Sequence, residues 1–384
     1  MQESLVAQHD LGELGDMGRA SQDKVVVIGR VCCEAEGKLN SMSLVLEGGI
    51  EASNGARVKL DVQYVPEYSF FPGQIVAVEG INTEGHTLIA SKVYRNAVPP
   101  SMPIADRGDL TEAPTVWVAT GPFTASADLE FEALSDFLEL CQEGRPDAVV
   151  LVGPFVAANH AMLKSPSLEM TYDDVFAKMM EVIEQVTEED FSSEIALVPS
   201  TSDLHHDCTY PQARYNHKKL KCLDLSPAHP YHNKIQCLPN PCLFSVGGMA
   251  LGVSSVDIVK DLLTDETSIQ APGSKVPRLV RMANHVIEQR SFHPLFPAHP
   301  GSQVDFQQEE SFALNVRPDV LVTPSDLSRF TETITGNVGC INPGRLVKGG
   351  NSGTFAKIKG QKLHEAVSAE LGVSYTPLVD IVRL

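Results

Sequence analysis

Short runs of alternating apolar and polar residues fill the chain between residues 24 and 94. This alternation predicts half-buried β-strands, and turns that contain glycine separate the runs. The five runs read KVVVIGRVCC, SMSLVLEGG, ARVKLDVQYV, PGQIVAVEGI and HTLIASKVY. Five short antiparallel strands favour a small Greek-key barrel with an OB-fold as the leading candidate. We therefore predict an OB-fold domain over residues 24–98.

The segments on either side of this barrel lack the alternation of apolar and polar residues. Residues 1–23 contain acidic residues and no apolar run, so we predict a flexible leader rather than a signal peptide. Residues 99–114 contain Pro99, Pro100 and Pro103, and we predict a linker there.

From Thr115 the apolar positions follow a different rhythm. The strands TVWVAT, AVVLV and EIALVP alternate with two helical stripes whose apolar residues recur at helical spacing. Strand and helix in alternation predict βαβ units and a parallel sheet, so the second domain is α/β. The two stripes are Leu134, Phe137, Leu138 and Cys141, and then Phe176, Met179, Ile183 and Val186.

Further elements complete this domain, which we predict over residues 115–358. CLFSVGGMALGVSS predicts a hairpin around Gly247 and Gly248, and VPRLVRMANHVIEQR predicts a helix. DVLVTP and GNVGCINP predict late strands, and GTFAKIK is expected to close the sheet. We predict that residues 359–384 form a C-terminal tail with a short helical stretch.

The residues that follow the predicted strands decide which chemistry the α/β domain can perform. A barrel followed by such a domain suggests a metallophosphoesterase layout, in which two metal ions polarise a phosphate and activate a water. The carboxylate, histidine and asparagine ligands would stand at the carboxyl ends of the strands. The strand ends here carry Gly121, Pro122, Gly153, Pro154, Ser200, Thr201, Ser202, Asn342, Pro343, Gly344 and Arg345.

These residues are poor metal ligands. Pro154 occupies the place of a bridging carboxylate, and a proline ring offers no lone pair. Arg345 would repel a cation. Asp203, His205 and His206 lie close by, but three ligands on one loop cannot hold two ions. We predict that the strand-end positions, together with His205 and His206, form a degenerate phosphoesterase motif with no catalytic residue, no metal and no cofactor.

A second candidate metal site is a stretch rich in histidine and cysteine within residues 200–242. Its spacings fit no compact zinc pattern, and an irregular surface loop is the favoured interpretation. The residues concerned are His205, His206, Cys208, His217, Cys222, His229, His232, Cys237 and Cys242.

Charge and composition narrow the classes of function. The 384-residue chain has 43% hydrophobic residues and a net charge of -19, which argues against autonomous binding of nucleic acid. The segment from Lys24 to Arg95 contains seven basic and eight acidic residues, a balance of -1 that is poor for an electrostatic DNA-binding groove. No apolar window reaches the roughly 18 residues of a membrane span. Eight cysteines without a CxxC pair indicate a reducing compartment, the cytosol or nucleus.

Several stretches resemble the B-subunit family of DNA polymerase alpha, the non-catalytic accessory subunits of the polymerase alpha–primase complex. The resemblance covers residues 25–358, and its motifs keep their order. They are VCCEAEGKLNSMSLVLEGG, EYSFFPGQIVAVEGIN, VATGPFTASADLEFEALSDFLE, RPDAVVLVGPF, VPSTSDLHHDCTYPQ, QRSFHPLFP, VRPDVLVTPSDL and CINPGRLVKGGNSGTFAKI.

The resemblance implies an OB domain joined to an inactivated calcineurin-like phosphoesterase domain. It implies a scaffold protein in replication initiation that binds the zinc-binding C-terminal domain of the catalytic subunit and helps to tether primase. Contact with DNA would be indirect, and the location would be the nucleus. The family also carries an N-terminal helical domain before a flexible linker, and we expect this chain to be too short to include it.

Two alternatives remain open from the residues. A metal-dependent phosphodiesterase or nuclease would bind manganese or iron and hydrolyse a phosphodiester. An autonomous single-strand DNA-binding module would stack bases on barrel aromatics and bind oligonucleotides in a salt-sensitive way. The aromatics available for stacking are Tyr64, Tyr68, Phe70 and Phe71.

Overall fold

A computed structural model describes residues 1–34, 37–103, 113–187, 191–216, 234–273, 276–364 and 375–384. The chain divides into two compact units. The barrel unit consists of Met1–Pro99, Ile258–Ser302 and Ala313–Asn315. The α/β unit consists of Pro100–Asp257, Gln303–Phe312 and Val316–Leu384.

The described residues form helices and strands throughout both units. The helices are α1 (Gln2–His9), α2 (Ile50–Ser53), α3 (Glu132–Gly144), α4 (Tyr172–Thr187), α5 (Ile258–Asp265) and α6 (Arg278–Glu288). The strands are β1 (Ser21–Cys33), β2 (Leu44–Gly48), β3 (Arg57–Asp61), β4 (Tyr68–Phe70), β5 (Ile75–Asn82), β6 (Thr87–Tyr94), β7 (Thr115–Thr120), β8 (Ala148–Val152), β9 (Glu194–Val198), β10 (Ile235–Cys237), β11 (Cys242–Val246), β12 (Met249–Val253), β13 (Thr267–Ile269), β14 (Val320–Val322), β15 (Phe330–Ile334), β16 (Val338–Asn342), β17 (Val347–Lys348), β18 (Asn351–Ser352), β19 (Thr354–Lys362) and β20 (Tyr375–Arg383).

The predicted barrel is confirmed. Strands β1, β2, β3, β6 and β5 close in that order around a core that includes Val31, Leu46, Val58 and Val78. These residues are the apolar members of the alternating runs, which is why the pattern alone identified the strands. One expectation was wrong, because β3 and β6 pair in parallel rather than antiparallel.

Residues 1–23 differ from the predicted flexible leader. Helix α1 buries Leu5 completely, and Met17 lies in the barrel core with 1% of its surface exposed. The amide of Gln8 donates to Val98 O at 2.6 Å and accepts from Val98 N at 3.1 Å. The segment therefore packs against the barrel unit, and its leucines and Met17 supply the apolar contacts.

The segment Ile258–Ser302 groups with the barrel unit, although we predicted it within a single α/β domain over residues 115–358. Strand β13 pairs antiparallel with β4. The buried carboxylate of Glu266 accepts a hydrogen bond from Ser69 Oγ at 2.6 Å and pairs with Arg281. A short strand pair and a buried polar cluster thus attach this segment to the barrel.

The α/β unit contains two sheets, where we predicted one. The first has the order β10-β9-β8-β7-β19-β20, and the second has the order β11-β12-β14-β16-β15. Apolar residues of both sheets share one core, including Val118, Val150, Leu251 and Val320. The opposite face of the first sheet packs in a cluster with the apolar stripes of α3 and α4. Burial on both faces explains the unbroken apolar run of β8.

Most predicted elements of this unit are confirmed. The buried residues of α3 are the four predicted ones, and the hairpin of β11 and β12 turns at Gly247 and Gly248, both with positive φ. Part of the predicted tail is a strand, because β20 lies at the sheet edge beside β19, and its short helical stretch stays a prediction. Residues 104–112 of the predicted linker and 365–374 of the tail lie outside the described residues.

Candidate functional site

The predicted site positions meet at the carboxyl edge of the first sheet of the α/β unit. Strands β7, β8 and β9 are parallel neighbours, so Gly121, Gly153 and Ser200 follow their ends side by side. Gly121 N donates to Val152 O at 2.8 Å, and Gly153 N donates to Val198 O at 2.9 Å. The loop after β16 reaches the same edge, where Arg345 Nη1 lies 3.4 Å from Gly121 O.

The glycines at two of these strand ends lie where the chain packs closely. A Cβ atom on Gly121 would lie 2.0 Å from Pro154 O. A Cβ atom on Gly153 would lie 2.7 Å from Asp203 Oδ2 and 2.9 Å from Ser200 Cβ. No residue larger than glycine fits at either position without moving the adjacent chain.

Asp203 connects the loops that follow β8 and β9. Its Oδ1 accepts from the backbone N–H groups of Phe155 at 2.5 Å and Val156 at 2.8 Å. Its Oδ2 accepts from Ser200 N at 2.9 Å and Tyr215 Oη at 3.2 Å. Burial raises the pKa of this carboxyl to about 6, although the three backbone bonds oppose the rise. Both oxygens are thus committed to hydrogen bonds within the protein.

The two predicted histidines face different surroundings. The His205 side chain is 0% exposed and stacks on Phe176, with ring centroids 4.1 Å apart, and on Tyr215 at 5.3 Å. Burial lowers the pKa of His205 to about 3, so this imidazole is neutral. His206 Nε2 lies 2.8 Å from Ala213 O. The two rings therefore have different roles, since one belongs to the core and the other is bonded to a loop carbonyl.

The turn after β16 is stabilised by its own polar groups. The buried Asn342 accepts at Oδ1 from Ser325 N and Gly344 N, each at 3.1 Å, and its Nδ2 donates to Ser328 O at 3.2 Å. Arg345 Nε donates to Asp326 Oδ1 at 2.9 Å. The side chains of Asn342 and Arg345 thus hold this turn against neighbouring loops.

Among the described residues, no group of three or more His, Cys, Asp or Glu side chains is placed to hold a metal ion. Of the zinc candidates, Cys208 Sγ donates to Gln303 Oε1 at 3.0 Å. Cys242 is buried and Cys237 is half-buried, and burial raises the pKa of each thiol to about 12. His217, Cys222, His229 and His232 lie outside the described residues.

The barrel aromatics do not form the stacking platform considered above. Tyr68, Phe70 and Phe71 are buried, with at most 4% of their surface exposed. Of the four, Tyr64 is the exposed one, at 68%. Sequence reasoning had not singled out Tyr215, whose ring contacts both histidines, because a tyrosine in an irregular loop gives no periodic signal.

Comparisons with known proteins agree with this architecture. A family model described as the OB domain of the DNA polymerase alpha B subunit matches residues 1–96. A second model, described as the DNA polymerase alpha/epsilon B subunit, matches residues 116–332, more than half of the chain. The chain belongs to the B-subunit family of DNA polymerases alpha and epsilon.

Individual relatives are named as B subunits of DNA polymerase alpha. The DNA polymerase alpha B subunit of Rattus norvegicus is 33% identical over 366 residues, which cover 95% of this chain and 59% of the relative. The protein of that name in Schizosaccharomyces pombe is 31% identical and is covered to 61% of its length. The chain thus spans about three fifths of these relatives. A solved structure, TT1561 of Thermus thermophilus, aligns with 71% of this chain and 99% of its own at 11% identity and a TM-score of 0.32.

Among the helices of the described residues, none combines the length and apolar character that a membrane crossing requires.

Proposed function

We propose that this chain is a non-catalytic scaffold protein of a DNA polymerase alpha–primase complex. It binds the C-terminal domain of the catalytic subunit and takes part in replication initiation in the nucleus. Primase is a further partner within the complex, and DNA is contacted indirectly. Membership of the B-subunit family and the names of the relatives support an accessory role in the polymerase alpha complex.

The observation that carries the non-catalytic part of the proposal is the state of the strand ends. Pro122 and Pro154 follow two of the strands and carry no ligand atom, and Asp203 has both oxygens engaged. Arg345 brings a positive charge to the same edge. A hydrolytic two-metal centre needs free carboxylate and imidazole lone pairs that converge on the ions. The α/β unit is on this reasoning an inactive phosphoesterase-like domain.

Co-expression with the C-terminal domain of the polymerase alpha catalytic subunit tests the scaffold role. We expect a 1:1 complex that stays together through size-exclusion chromatography with light scattering. The control is co-expression with the polymerase core that lacks this domain, which should elute separately. Separate elution of the chain and the C-terminal domain would refute the scaffold role.

Metal content and phosphodiester hydrolysis test the non-catalytic part separately. The purified chain is incubated with manganese, iron and zinc, desalted and analysed, and its activity on bis-p-nitrophenyl phosphate is measured with manganese. We expect no stoichiometric pair of ions and a rate equal to that of manganese alone. Two ions per chain with turnover would establish the phosphodiesterase instead.

A further inference from the structure

The barrel unit contains a cleft of 430 Å³. It is lined by His9 and by two chain segments, residues 65–70 and 91–96. Clefts of about 300–1,000 Å³ are the usual size for bound ligands. All of these residues belong to the barrel unit, so the cleft is complete within it.

Both walls of the cleft include a strand that is paired on one edge. Strand β3 pairs with β6 at Thr87–Ile89, and β5 pairs along the rest of β6. From Ser91 to Tyr94, β6 therefore has β5 on one edge and, among the described residues, no strand on the other edge. Strand β4 has β13 on one side and no second strand partner in the described part of the chain. An antiparallel strand directs alternate backbone groups to each side, so the second edge of β6 carries N–H and C=O groups. Residues Ser91–Tyr94 of this strand line the cleft.

The open edge of β6 has defined limits. Ala90 pairs with Gly80 and Lys92 with Glu79, so Ser91 forms a bulge where the edge begins. Beyond Tyr94 the backbone is engaged, because Arg95 O accepts from Gln289 Nε2 at 3.3 Å. Four residues span about 13 Å, which is the length of a short added strand. Unpaired strand edges of this kind accept extended peptides.

The charges at the cleft are more positive than the chain as a whole. Lys92 and Arg95 line it together with one acid, Glu67, whereas the whole chain has a net charge of -19. Arg95 Nε lies 3.8 Å from Glu288 Oε2, so Lys92 is the lining base that remains for a partner. The Lys92 ammonium lies 4.4 Å from the Tyr94 ring centroid, and it has no salt-bridge partner among the described residues. Glu79, which faces Lys92 across the strand pair, is bound by Lys24 at 2.9 Å, and Lys24 first and Lys92 after it lower the pKa of Glu79. Lys92 makes no salt bridge with Glu79, so its ammonium can also receive a carboxylate from outside.

We propose that this cleft binds an extended acidic segment of a partner protein, which adds to β6 as a strand along Ser91–Tyr94 and places a carboxylate beside Lys92. A polypeptide backbone supplies both the donors and the acceptors that a strand edge needs, whereas the phosphates of a nucleic acid supply acceptors alone. This is why a peptide fits better than single-stranded DNA. The proposal does not depend on assembly with the polymerase catalytic subunit.

A fluorescein-labelled heptapeptide of alternating valine and glutamate tests this site on the full chain by fluorescence anisotropy. We expect saturable binding with a Kd below roughly 1 mM. Lys92→Glu should weaken it by about tenfold or more, because it replaces an attraction with a like-charge contact. Lys59→Glu is the matched control, an exposed lysine on β3 outside the cleft, and should leave the Kd unchanged.

Backbone methylation of the peptide distinguishes strand addition from simple charge attraction. Methyl groups on alternate amide nitrogens give two versions, and one of them should lose binding, because a single row of N–H groups faces β6. Equal binding of both versions, or of Lys92→Glu and the unmodified chain, would overturn the proposal. So would absence of binding up to roughly 1 mM. Lys92-dependent binding of a thymidine decanucleotide without peptide binding would assign the cleft to nucleic acid instead.

Discussion

Replacement of His205 by phenylalanine tests whether a buried neutral imidazole sets the acid stability of the α/β unit. The ring lies between Phe176 and Tyr215, and neither of its nitrogens has a hydrogen-bond partner among the described residues. Burial, and after it the repulsion from His206, lowers the pKa of His205 to about 3. In the unfolded chain a histidine has a pKa of about 6.5.

The sign and size of the effect follow from this difference in pKa. Between about pH 6.5 and the folded pKa, the unfolded chain binds a proton that the folded chain excludes. The free energy of unfolding therefore falls as the pH falls, by up to about 1.4 kcal/mol per pH unit. Between about pH 7.5 and pH 5 the loss due to His205 amounts to about 2 kcal/mol. His205→Phe should remove this loss, so the variant gains about 2 kcal/mol on the unmodified chain between the two pH values.

The assay is urea unfolding at both pH values, followed by the fluorescence of Trp117, the single tryptophan, which lies in the same core cluster as Phe176. Any packing change caused by the larger ring is the same at both pH values and cancels. Asp203 Oδ1 lies 4.0 Å from His205 Nδ1. Because burial raises the pKa of Asp203, its protonation adds to the free energy of unfolding as the pH falls, and this contribution is present in both chains. Phe176→Leu is the control that keeps the imidazole and should keep the pH dependence. If the His205→Phe variant and the unmodified chain lose the same free energy of unfolding between about pH 7.5 and pH 5, the reasoning is refuted.

Two further substitutions probe the packing of each unit. Gly121→Ala places a Cβ atom 2.0 Å from Pro154 O and should lower the free energy of unfolding of the α/β unit by about 1–3 kcal/mol or more. Gly350→Ala, with open space around its Cβ, should have little effect. Equal urea midpoints for the Gly121→Ala and Gly350→Ala variants would contradict the packing argument. Glu266→Gln leaves Arg281, whose side chain is 11% exposed, without its carboxylate, and should cost the barrel unit about 3–5 kcal/mol. Faster amide hydrogen exchange in α6 and β13 measures this loss, and Asp265→Asn should leave the exchange unchanged.

Local periodicity accounts for the elements that the sequence identified. Helix α3 buries Leu134, Phe137, Leu138 and Cys141 because residues at this spacing share one helix face. The barrel strands were found because each exposes one face, so apolar and polar residues alternate. Both patterns depend on neighbours a few residues apart, which is the range that a single sequence displays.

The elements that the sequence did not predict all depend on pairing between distant residues. Strand β13 is three residues long and pairs with β4, about 200 positions earlier, so no local pattern marks it. Strand β20 contains Pro377, which argues against a strand, yet an edge strand tolerates proline because one row of its N–H groups needs no partner. The division into two sheets likewise follows from strand order, which periodicity does not encode.

The features of the candidate site also divide into local ones, which the sequence predicted, and long-range contacts, which it did not predict. The sequence predicted which residues follow β7, β8 and β9, because a strand end is a local feature. It did not predict that Asp203 would bind the loops after β8 and β9, because those contacts span up to 48 positions. In the sequence Asp203 was one of three potential ligands on a single loop, and the structure shows a carboxylate with four donors around it.

This difference bears directly on the choice between a scaffold and an enzyme. Placing a metal ion on Asp203 would require its oxygens to give up hydrogen bonds from Phe155, Val156 and Ser200, each worth about 1.5–3 kcal/mol to a charged group. The N–H groups left behind would be buried without partners, which adds a further cost. A metal would also have to approach an edge that carries the Arg345 guanidinium. Hydrogen bonds that hold the loops together therefore compete with metal binding at this edge, and this competition is the physical reason for favouring the scaffold.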